Sequence, residues 1–85
     1  MSQKGTTKDE MMMIKLYEMA LALGSPFEEV DKYAIGRAIG QNDKGTNIIA
    51  RDLAGCNFIK KGTGDAILLT QHGLNLVEAL LSTFE

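Results

Sequence analysis

Cysteine, histidine and proline occur once each in this chain, and tryptophan is absent. The single cysteine, Cys56, cannot close an intrachain disulfide, so a reducing, cytoplasmic compartment is the expected setting. At a predicted helix end beside Phe58, Cys56 reads as a small buried hydrophobe rather than a redox centre. The single histidine, His72, has no cysteine or carboxylate at metal-ligand spacing. No nucleophile, base and orienting group are spaced for joint work. Neither a metal, a cofactor nor enzymatic catalysis is therefore expected. Gly62-Thr63-Gly64 lacks the spacing and the following Lys-Ser or Lys-Thr pair of a phosphate loop, and reads as a turn. Long apolar runs are missing too. Met11–Leu23 is interrupted by Lys15 and Glu18, and it lacks the basic lead and cleavage site of a secretory leader. No stretch approaches the roughly 20 apolar residues that a membrane helix needs. Internal repeats, low-complexity segments and linkers are also wanting.

What is present fits one small domain. The apolar fraction of 45% and the charged fraction of 24% are ordinary for a folded chain. A chain of 85 residues buries only roughly 60–65% of its unfolded surface, so a partner would add burial that its own core cannot supply. The net charge is −2, and its distribution is uneven. Residues 1–30 carry a net of −2 and residues 62–85 a net of −3. Between them, Lys32, Arg37, Lys44, Arg51, Lys60 and Lys61 face only Asp31, Asp43 and Asp52, a net of +3. Local field, not the total, governs an anionic partner.

Residues 1–7 read as a flexible tail and residues 8–85 as the domain. Thr7 and Glu10 stand at capping-box spacing and open a first helix. Met12, Leu16, Met19, Ala20 and Leu23 share one face of it, with Met13 and Tyr17 at its edge, and Gly24 ends it. Ser25-Pro26-Phe27-Glu28 offers two readings. Either a helix runs from Pro26 to about Gly40, or a turn over Pro26–Glu29 precedes a second helix capped by Asp31; the second reading is favoured. Ala34, Ile35, Ala38 and Ile39 form the apolar side of that helix. The spacing of Gly36 and Gly40 suggests close packing. Asn42 caps a third helix whose buried side is Thr46, Ile49, Ala50 and Leu53, ending near Gly55 or Cys56, with Asn57 tolerating a left-handed turn. The period then changes from 3.6 to 2. Phe58–Lys61 and Asp65–Leu69 read as two strands joined at Gly62-Thr63-Gly64. Thr70 caps a last helix with Leu74, Val77, Leu81 and Phe84 on its core side.

Three helices, a two-stranded antiparallel hairpin and a fourth helix make a mostly α fold in the order of a winged helix-turn-helix. The residues extend the likeness. Tyr33-Ala34-Ile35-Gly36-Arg37-Ala38-Ile39-Gly40 resembles the second helix of MarR-type regulators. Phe58-Ile59 stands where that family has its first wing strand, and Leu69-Thr70-Gln71-His72-Gly73 resembles the Leu-Thr-x-x-Gly that closes its wing. The resemblance covers about residues 10–84. It implies a small dimeric transcriptional regulator that binds double-stranded DNA, with a recognition helix over about 42–55 and a wing over about 57–70.

An α-helix about 10–12 Å wide fits the roughly 12 Å major groove. On the third helix, Lys44 and Arg51 are candidates for phosphate or guanine, and Asn47 for adenine. Lys60 and Lys61 would meet backbone phosphates from the wing. Leu76, Ala79 and Leu80 widen the apolar surface of the last helix beyond one stripe, so a homodimer pairing this helix, together with the first, is expected. The alternative function is a protein-interaction module on the same scaffold without DNA binding. The acidic total, Asp43 and the outward Ile48 favour that alternative.

Overall fold

The structure, a computed structural model, describes residues 7–82. The expected tail before Thr7 and the expected core residue Phe84 lie outside the described residues. Helix α1, Lys8–Leu23, opens with the reciprocal cap. Thr7 Oγ1 accepts from Glu10 N–H at 3.1 Å, and Glu10 Oε1 accepts from Thr7 N–H at 2.9 Å. These bonds satisfy backbone donors that the first turn leaves without helical partners. Met12, Met13, Leu16 and Ala20 are buried. Through them α1 packs against the three later helices and two strands, and forms the axis of the core. Leu23 departs from expectation. It is 61% exposed, because the helical period carries it beyond the last turn that other elements cover.

A turn follows, with Ser25 Oγ accepting from Phe27 N–H at 3.0 Å. Strand β1, Val30–Asp31, comes next and was not foreseen: the element order is α-β-α-α-β-β-α, not α-α-α-β-β-α. The two residues are too few to show a period, and their partners lie far along the chain. Asp31 then caps α2, Lys32–Ala38, accepting from Tyr33 N–H at 3.0 Å. Ile35 and Gly36 face the core, whereas Ala38, expected on the apolar side, is exposed. Asn42 caps α3, Asp43–Gly55, accepting from Gly45 N–H at 2.8 Å. Thr46, Ile49, Ala50 and Leu53 are buried along it.

Gly36 and Thr46 set the distance between α2 and α3. A Cβ on Gly36 would overlap Thr46 Oγ1 and stand only 2.9 Å from Thr46 Cβ. Thr46 Oγ1 donates to Asn42 O at 2.8 Å, so the buried hydroxyl is satisfied within its own helix.

Asn57, with φ of 65°, turns the chain out of α3 into β2, Ile59–Lys61. Strand β3, Ala66–Leu69, returns antiparallel to it, pairing Ile59 with Leu69 and Lys61 with Ile67. On its other edge β3 pairs with β1, Val30 opposite Ile67 and Asp31 opposite Ala66. The sheet therefore has three strands in the order β1-β3-β2, not the two of a free hairpin. Ile59, Ile67 and Leu69 turn inward, while Lys60 and Lys61 stay in solvent. Thr70 fastens the sheet to α4, Gln71–Ser82. Its hydroxyl donates to Asn57 O at 2.6 Å and accepts from Gly73 N–H at 3.0 Å. Leu74 and Val77 complete the core from α4.

Candidate functional site

Asp43, Lys44, Asn47, Ile48 and Arg51 form the outward side of α3, and all are exposed. One edge of this side does not look into open solvent. Asn47, Ala50, Arg51 and Ala54 recur at i, i+3, i+4 and i+7 and make one wall of a groove. The opposite wall is β2, with Lys60 and Lys61, and Lys32 stands where β1 passes into α2. Ile59 and Ile67 supply its apolar lining. The groove has a volume of about 320 Å³. Alanine at positions 50 and 54 keeps the helix wall low, so a ligand can approach the backbone of α3 closely.

Every charged side chain lining the groove is a cation: Lys32, Arg51, Lys60 and Lys61. None of the four is neutralised by an ion pair, since Lys15–Glu18, at 2.8 Å, is the one salt bridge among the described residues. Lys32 Nζ instead lies 5.2 Å from the centre of the Tyr33 ring, whose face attracts a cation. The Tyr33 hydroxyl meets the side-chain amide of Asn47, at 3.3 Å from Oδ1 and 3.2 Å from Nδ2. Asn47 is thus held from α2 at the rim of the groove. Four like charges around one concavity raise a local positive potential that the net charge of −2 conceals.

The structure places Asn47, Arg51, Lys60 and Lys61 around one groove and leaves Lys44 outside its lining. It adds Lys32, which sequence reasoning missed. One signal was available. Lys32 sits in the first turn of α2, where the positive end of the helix dipole disfavours a cation by roughly 0.3–1 kcal/mol.

The remaining candidate residues find other surroundings. Cys56 is exposed, not buried, because it caps the end of α3, just before Asn57 turns the chain into β2. The His72 ring stacks on Phe58 with centroids 4.7 Å apart. No group of three or more potential metal-ligating side chains occurs among the described residues. On α4, Leu76 is half-buried against the core, Leu80 is half-buried and Ala79 is exposed. No helix among the described residues is long and apolar enough to cross a membrane. Comparison with protein-family models, curated proteins and solved structures finds no match to this chain.

Proposed function

We propose that this chain is a non-enzymatic winged-helix domain that binds double-stranded DNA, as a small transcriptional regulator of MarR-like type would. In this reading α3 is the recognition helix and the β2–β3 hairpin is the wing. The groove between them carries the argument: four unpaired cations and no carboxylate line it, and one wall is the exposed face of a 13-residue helix. That helix, about 20 Å long, matches the length a recognition helix needs to reach several base edges. Phosphate contacts from Lys32, Arg51, Lys60 and Lys61 would fix the register, and Asn47 would meet base edges.

Neutralising about four phosphates gives a log–log salt slope near −3.6, a loss of roughly 10²-fold in affinity between 50 and 200 mM salt. Fluorescence anisotropy of a labelled duplex, titrated at several salt concentrations, measures this directly. Absence of duplex binding at low salt contradicts the proposal.

Ile48 favours a second reading, a protein-docking module. It is 43% exposed on the outward side of α3, an apolar side chain beside the acidic Asp43. Ile48→Asp would then abolish capture of a polypeptide partner, with no duplex affinity in the parent chain. We also propose a homodimer through α4, with Ala79 at its centre; Leu76 is in part occupied by the chain's own core.

A further inference from the structure

Glu29 sits where charge alone would not put it. Its carboxylate lies at the turn that directly follows Lys60 and Lys61. Glu29 Oε1 accepts from the Thr63 N–H at 3.0 Å, a bond between residues 34 apart in sequence. The Glu29 side chain also fills the space over Gly62. A Cβ there would stand 2.6 Å from Glu29 Cδ, 2.9 Å from Oε1 and 3.0 Å from Cγ. The same stretch of chain continues along β3. Val30 pairs with Ile67, Asp31 pairs with Ala66, and Lys32 N–H donates to Asp65 O at 3.0 Å. Residues 29–32 therefore hold the turn and the return strand at successive points.

Such a brace has a physical purpose. β2 and β3 span only three and four residues, and an isolated two-stranded hairpin is marginal in water. A carboxylate near a phosphate site also repels the ligand. We infer that Glu29 is a positioning residue. It holds the turn by a charge-assisted bond to Thr63 N–H, and so fixes Lys60 and Lys61 on their wall of the groove before an anionic ligand arrives. The inference rests on the duplex-binding reading for its ligand. A hairpin ordered in advance spares the cost of ordering it on binding.

The charge effect and the positioning effect have opposite signs, and two variants separate them. Glu29→Ala removes the charge and the acceptor. Glu29→Gln removes the charge and keeps an acceptor oxygen. Duplex anisotropy is measured for both and for the parent chain, together with amide exchange at Thr63, where all three are folded. Positioning predicts that Glu29→Ala binds about threefold to tenfold more weakly despite losing a negative charge, with an unchanged salt slope. Glu29→Gln should bind at least as tightly as the parent. Thr63 amide exchange should rise about tenfold in Glu29→Ala and by clearly less in Glu29→Gln, which keeps an acceptor oxygen without the charge. Glu29→Ala binding as tightly as the parent, or unchanged Thr63 exchange, overturns the inference. If the parent binds no duplex, the DNA reading fails by itself, and Thr63 exchange still decides whether Glu29 holds the turn.

Discussion

Gly36 and Thr46 meet where α2 crosses α3, and no side chain fits between them. Rotating Thr46 gives no relief, because its Cβ and Cγ2 also stand within 3.0 Å of a Cβ built on Gly36. Gly36→Ala should therefore destabilise the domain by about 1–3 kcal/mol. Thermal unfolding followed by circular dichroism checks this, with a fall of roughly 4–8 °C per kcal/mol in a domain of this size. Thr70→Ala should cost about 1–2 kcal/mol, since it leaves Gly73 N–H without its cap. Caps were legible in the sequence because they are local. Thr7, Asp31, Asn42 and Thr70 each act on a donor two or three residues away. The Gly36 contact was legible only as a glycine in a helix, since its partner belongs to another element. The exposures of Leu23 and Cys56 were not legible, because helical periodicity does not say where the neighbouring elements stop.

At the scale of elements, the groove is a relation between α3 and β2 that Lys32 of α2 and Ile67 of β3 complete. Helix α3 and its buried side follow from a single cap and an unbroken 3.6 period. The hairpin follows from a change of period and three turn residues. Strand β1 escaped because two residues carry no pattern, and its register is set only when β3 folds beside it. Lys32 escaped with it, and this gives a prediction that separates structure from sequence pattern. Lys32→Gln and Arg51→Gln should each lower the salt slope of duplex binding by about 1, because each withdraws one cation from the groove. Lys44→Gln, on α3 but outside the groove lining, should change the slope by clearly less. Equal effects of all three would mean that the outward side of α3 binds the anion as a whole, without the groove.

For the whole molecule, the acidic total and the basic groove act together. On the duplex-binding reading, the acidic charge concentrated in residues 1–30 and 62–85 would oppose non-specific anion binding elsewhere and would orient the molecule with its groove toward the duplex. A chain this short gains from a second copy, and the proposed dimer through α4 would present two α3 helices to successive turns of DNA. Sedimentation should give twice the chain mass, and Ala79→Glu should return the monomer; a monomeric parent chain contradicts the dimer. The central claim, that the cationic groove is a duplex-binding surface, is tested most directly by mapping amide chemical shifts as a short duplex is added at low salt. The account predicts the largest changes at Lys32, Asn47, Arg51, Lys60 and Lys61, with Leu21 and Leu23 at the end of α1 unmoved. Changes confined to α1 and α4, or none at saturating duplex, would contradict it.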